Sequence, residues 1–385
     1  MANKKDGKEK VRRRRFLGAA AGGIAGVVLS EASTARAVPK QAGYCFVDLG
    51  VTPIHPAIGA VARGGATVVL PNQDADNIYF VDVATLTVQS VVQLAAGARP
   101  WEVAVAPNDR FALVSLSRFQ TSTAPSQVAV LSMSRRRVVA TINVGVGPNG
   151  IAFSPAGDRA FVANQRSNSV SIINVAPADP TKWAVIQTVG VANSPHKVLF
   201  EQQSQRLYVS CFVDAAISVI DATAGRAASL IQSVTVGNPA LLDPFPQFGA
   251  GDTTSFALDL ADNIGFATNW RSSEIVALDL ATLGVLTRQT SPVQNPYEAK
   301  TVVGNIIVIA SDIADAMAFT IPDFYGQLTP VDHFSMDGTS LPTNVGNNFT
   351  IFYGDRGRNR LGVVTGSFAA LHPVIDIHTI LQDAL

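Results

Sequence analysis

Short apolar runs closed by a small polar residue return along this chain in groups of three. One group reads Ile151-Ala152-Phe153-Ser154, then Ala160-Phe161-Val162-Ala163-Asn164, then Ser169-Val170-Ser171-Ile172-Ile173-Asn174. Apolar runs of this length, bounded by turn residues such as Pro155 and Gly157, predict short strands covered on both faces. The groups line up on a strand-opening proline at Pro56, Pro100, Pro148, Pro195, Pro296 and Pro342, with Asp252-Thr253 standing in for it in the fifth. Seven units follow. Their second elements begin at Thr67, Phe111, Ala160, Leu207, Gly265, Ile306 and Leu361. Third elements begin at Tyr79, Val128, Val170, Ile217, Ile275 and Pro373, with Met317 to Ile321 as the weakest, in the sixth unit.

A period of about 45 residues built from short strands is the signature of a β-propeller, one four-stranded blade per unit. The expected fold is therefore all-β: a seven-bladed β-propeller of four-stranded antiparallel blades, in one domain over 38–385. The last unit runs out after its third element, while Tyr44 to Leu49 form a strand that precedes the first marker. That N-terminal strand is expected to complete the last blade, which would cover an otherwise open edge.

The phrase Gly145-Val146-Gly147-Pro148-Asn149-Gly150-Ile151-Ala152-Phe153-Ser154-Pro155-Ala156-Gly157, with Phe161-Val162-Ala163-Asn164 and Ser218 to Thr223, resembles the YVTN-repeat, YncE-like propeller family. The likeness covers nearly all of 38–385, strongly in units two to five. It implies the fold and no single activity. Members include exported binding proteins, and related propellers include lactonases and redox subunits.

Residues 1–37 carry a different pattern. Arg12 to Arg15, Phe16-Leu17, the apolar stretch Gly18 to Leu29 and Ala35-Arg36-Ala37 make an export signal, and Arg-Arg-x-Phe-Leu looks like the twin-arginine type. The stretch is shorter than the roughly 20 residues a membrane helix needs, so a periplasmic or secreted chain with no stable membrane span is expected. Without this segment 20 basic and 26 acidic residues remain, a net charge of about −6. That balance argues against a nucleic-acid partner, which calls for a basic footprint. Cys45 and Cys211 fall in distant units, too far apart for a bridge, and are expected as small buried residues.

Candidate chemistry gathers where the markers meet the channel mouth. The register brings there Arg99, Trp101, Glu102, Asn149, Asn164, His196, Lys197, Asn269, Trp270, Arg271, Tyr297, Glu298 and Asp312. Aromatic surface with a few aimed polar groups suits a small ligand. Two long links, Asn238 to Gly251 and Leu116 to Ser126, are expected to rise on the same face as a lid or a docking surface for a partner protein. Glu102, Glu298 and Asp312 are the candidate ligands for Ca²⁺ or another divalent metal, since the resemblance implies a channel metal in lactonases. His196 is the best candidate general base. Nucleophile-elbow, phosphate-loop and zincin motifs are all missing. The leading expectation is a binding module for a small molecule or partner protein. A metal-dependent lactonase-like hydrolase and an accessory subunit of a periplasmic redox enzyme are the alternatives.

Overall fold

The computed structural model describes residues 43–49, 59–62, 65–117, 126–176, 178–239, 241, 251–260, 263–292, 294–301, 307–311, 316–322, 328–335, 340–345, 348–355 and 360–367. The expected signal at 1–37, the tip of the Asn238 to Gly251 link, Arg118, Phe119, Pro56 and Asp312 lie outside them. The chain is all-β. Among the described residues the strands form seven four-stranded antiparallel sheets, six of them built from four consecutive strands. No helix among the described residues is long and apolar enough to cross a membrane.

In the first five sheets the second and third strands are buried almost throughout, as in Arg159–Asn164 and Ser169–Asn174. Fourth strands are far more exposed: Thr87–Gln93 and Ala184–Gly190 alternate between partly covered and exposed positions, and Ser229–Thr235 is exposed almost throughout. The reason is packing between sheets: Phe161, Val170 and Ile172 of the third sheet share one core with Val198, Leu207, Val209 and Ile220 of the fourth. A strand covered on both faces is apolar at most positions and keeps polar residues only where they are hydrogen-bonded, as Ser171 is to Asn164, whereas an outer strand needs only one apolar face.

First strands lie innermost. Those at Pro100–Val105, Pro148–Phe153, Pro195–Glu201, Thr253–Asp259 and Pro296–Thr301 each pack against the next, and Ser340–Val345 lies against both Pro296–Thr301 and Ala60–Val61. Gly43–Asp48 pairs antiparallel with Arg360–Ser367, Tyr44 standing opposite Val364.

The seventh sheet corrects the sequence register. Its second strand is Asn348–Asp355, so Leu361 to Val364 belong to the third strand rather than the second, and the run at Pro373 lies outside the described residues. Pro342 does not open its strand but sits inside it, opposite Ile351. Phe349 to Tyr353 is as apolar as Leu361 to Val364, so the pattern alone allowed a shift of one strand.

The repeated letters of the sequence have distinct structural tasks. The acid or amide closing the third strand caps the turn that follows: Asp82 accepts from Thr85 N at 2.8 Å, Asp221 from Thr223 N at 2.9 Å and Asp279 from Thr282 N at 2.8 Å. Such side-chain turns tolerate the sharp reversal. Between sheets, Asp76 accepts from Arg99 N at 2.7 Å and Asn168 Oδ1 from Ser194 N at 2.9 Å. These bonds hold Arg99 (φ 47°) and Ser194 (φ 60°) in the left-handed region just before the marker proline, a strained conformation that neighbouring contacts must enforce.

Candidate functional site

The markers of units two to six each open a β-bulge. Pro195 pairs with Cys211 but Lys197 pairs with Ser210, leaving His196 as the extra residue, and the same shift occurs between Pro296 and Glu298 and between Thr253 and Ser255. Bulges re-aim side chains. The displaced backbone is satisfied by the small polar residue of the second strand: Ser115 Oγ accepts from Glu102 N, Ser210 Oγ from Lys197 N and Thr268 Oγ1 from Ser255 N, each at 3.0 Å. This accounts for the polar end of the second element in the repeat.

The first residue after the marker is Trp101, His196 and Tyr297 in units two, four and six, and these three rings meet. Trp101 and Tyr297 both stand edge-on to His196, with centroids 6.3 and 5.3 Å away. His196 Nδ1 lies 3.1 Å from the Thr254 carbonyl oxygen, which can only accept, so Nδ1 carries a proton. In the neutral ring Nε2 is then the acceptor, and the Tyr297 hydroxyl donates to it at 2.8 Å.

The second residue after the marker is Glu102, Lys197 and Glu298 in the same three units. Lys197 Nζ stands 2.9 Å from Glu102 Oε2 and 3.1 Å from Glu298 Oε2, all three side chains about nine-tenths buried or more. Glu102 Oε1 also accepts from Ile151 N at 3.2 Å. Units three and five carry Gly150 and Ser255 in this position, small enough to let the lysine reach across. A Cβ on Gly150 would stand 2.5 Å from the His196 carbonyl oxygen, so only glycine fits there. Burial pushes the Glu102 carboxyl above its usual range despite the lysine beside it. For Lys197 burial favours the neutral amine, but Glu102 and Glu298 outweigh it and hold the pKa above the ordinary value.

A cavity of about 590 Å³ begins at these charges and runs toward the far ends of the first strands, away from the marker turns. Val103, Ile151, Phe200, Phe256 and Leu258 supply its apolar wall, with Asp259 and Lys300 as further charged lining. The sequence register expects the site at the marker end. There Trp101, His196 and Tyr297 pack against one another, and the open space lies beyond the ion cluster.

The other candidates divide by role. Asp252 is fully buried and accepts from Arg271 N, Ser272 N, Ser272 Oγ and Asn238 N at 2.8–3.1 Å, which ties the fifth marker to its neighbouring turns. Asn269 bridges Thr253 Oγ1 and the Val236 carbonyl. Asn164 donates to Ser169 and Ser171. Asn149 is buried at the marker of unit three. Arg99 faces Asp74 at 3.5 Å, and Arg271 lies over both Phe212 and Trp270 while donating to the Leu241 carbonyl. None of these lines the cavity. Among the described residues no group of three His, Cys, Asp or Glu side chains is placed to hold a metal; the positive charge between Glu102 and Glu298 is the chain's own Lys197. Cys211 is free and buried, its thiol pushed up to about 12 by burial.

Lys300 and Asp259 went unsignalled in the sequence reading. The available signal was positional: Lys300 occupies a column that is Ala104, Ala152, Leu199 and Ala257 in units two to five.

No family model matches this sequence, and none of the curated proteins does. Solved structures do resemble the fold. A periplasmic gluconolactonase of Pseudomonas aeruginosa superposes with a TM-score of 0.60 at 15% identity, over 73% of this chain and 86% of that one. Virginiamycin B lyase of Staphylococcus aureus gives 0.59 at 12% identity, over 84% and 99%. The WD40 repeats of RRP9 give 0.62 at 9% identity, over 83% and 96%. At such identities the likeness carries the propeller architecture and not the chemistry.

Proposed function

We propose that the seven sheets are the blades of one ring, closed by the N-terminal strand, and that this ring is an exported small-molecule binding module of the YVTN type with its ligand in the axial cavity. The observation that carries the ligand reading is the Glu102–Lys197–Glu298 cluster at the head of an apolar-walled cavity. Burying three ions costs more than apolar packing of the same volume, so such a cluster is a poor stabiliser and a good recognition element. The basic, then apolar segment within 1–37 supports export, and the repeat phrase around Pro148 supports the YVTN type.

The test is a small-molecule screen by thermal shift on the mature protein, repeated on Leu260→Trp and Glu298→Gln. Leu260 lines the cavity yet is about half exposed, so a tryptophan there narrows the site without disturbing the core. Ligands of the cavity should lose about tenfold in affinity in both variants. Ligands that bind the variants unchanged would sink the reading.

A hydrolase is the second reading, and the His196–Tyr297 pair favours it. A tyrosine hydroxyl donating to a tautomer-fixed imidazole is a proton-transfer unit, and one structural neighbour is a gluconolactonase. Lactone hydrolysis that falls at least about 100-fold in Tyr297→Phe would promote it, and no turnover by the wild-type protein would remove it.

A further inference from the structure

Lys300 is an ammonium-bearing side chain in a column that is otherwise apolar. It lines the axial cavity, about a quarter exposed, and its Nζ lies 3.9 Å from Glu298 Oε1, an ion-pair distance too long for a hydrogen bond. Glu298 already faces Lys197 at 3.1 Å, so one carboxylate is shared between two lysines. Glu102 and Lys197 pair with each other, and the wall beyond is mostly apolar, with Asp259 as its one further acid among the lining residues. Such a space fits an uncharged ligand rather than an ion.

We propose that the cavity takes a small aldehyde or ketone, held reversibly as an imine on Lys300 with Glu298 as the proton carrier. This rests on the axial cavity being the small-molecule site. In the first half of the step the Lys300 nitrogen forms a bond to the carbonyl carbon, the carbonyl π pair moves to oxygen, and one of the two amine protons passes through Glu298 Oε1 to that oxygen, giving a neutral carbinolamine. In the second half Glu298 Oε1 takes the remaining nitrogen proton and the same carboxyl delivers a proton to the departing hydroxyl. The C–O bond then breaks, water leaves, and the nitrogen lone pair completes the C=N bond, so that amine and carbonyl become imine and water with no redox change. Two features of the site favour the free amine this addition needs. Burial lowers the Lys300 pKa from the ordinary lysine value; Glu298 offsets part of that, and the neighbouring Lys197 charge adds to the lowering while Glu102 opposes it. Desolvation and a second cation are the established means of making a lysine nucleophilic at neutral pH.

Reductive trapping tests the proposal: the mature protein is treated with benzaldehyde and cyanoborohydride, and adducts are located by peptide mass spectrometry. Lys300 should label about tenfold faster than exposed Lys182 at neutral pH. Lys300→Arg, which keeps the charge, should lose that fast adduct while retaining the wild-type melting temperature. Equal labelling of Lys300 and Lys182 would overturn the proposal. Benzyl alcohol, which has no carbonyl, reads the cavity separately by thermal shift against Leu260→Trp. Alcohol bound in a Leu260-dependent way without a fast Lys300 adduct refutes the imine and leaves the cavity reading intact; neither alcohol binding nor adduct refutes both.

Discussion

Lys197 is the side chain on which the axial cluster turns, because it stands within 3.1 Å of two carboxylates that are otherwise buried together. Replacing it with methionine leaves those carboxylates uncompensated, and urea denaturation should show a loss of about 3–5 kcal/mol. Replacing all three ions, as Glu102→Gln, Lys197→Met and Glu298→Gln together, should recover most of that loss. The same cluster gives stability a pH dependence whose sign follows from proton uptake. Lys197 and Glu102 both have raised values, so at these two groups the folded chain binds more protons than the unfolded one and their contribution to stability falls as pH rises. The Lys197 contribution is whole below 10.5 and is lost as pH climbs through its higher folded value, while Glu102 acts in the same direction from 4.5 upward. Denaturation midpoints above pH 10.5 should therefore fall more steeply in the wild type than in Lys197→Met.

The bulge that follows the markers of units two to six is the element that turns a structural repeat into a site. It sets two consecutive residues, rather than one, against a single residue of the second strand, and so supplies Trp101, His196 and Tyr297 and then Glu102, Lys197 and Glu298. Gly150 lets neighbouring first strands approach closely, so Gly150→Ala should cost about 1–3 kcal/mol through overpacking, and it should loosen the Lys197 ion pairs it abuts. Asp252 holds the fifth marker, which has no proline, by accepting four hydrogen bonds in a fully buried position. Removing the carboxylate strands those donors, and Asp252→Ala should lower stability by about 3 kcal/mol or more, measurable as a fall in denaturant midpoint.

At the scale of the molecule, the described cores join sheet one to two, two to three, three to four, four to five and five to six, as in repeat architectures whose stability lies in the interfaces between units. The strand at Gly43–Asp48 covers the edge of Arg360–Ser367. Deleting residues 43–48 should expose that edge and give aggregation on size-exclusion chromatography together with a lowered thermal transition. A truncated chain that stayed monodisperse with an unchanged melt would show that this pairing does not hold the fold together.

The period, the strand positions in units one to six and the N-terminal strand were legible because a sheet packed on both faces writes its burial directly into the order of apolar residues. The seventh unit was misread because two adjacent strands there are equally apolar, and pattern alone has no register when neighbours look alike. Glu102, His196, Tyr297 and Glu298 were legible one by one, as polar or aromatic residues after a marker. That Lys197 closes Glu102 and Glu298 into one cluster, and that the open space lies beyond it beside Lys300, came only with the tertiary structure. Those side chains come from units dozens of residues apart, and their distances depend on how far each bulge displaces its strand toward the axis, a length that no order of residues states.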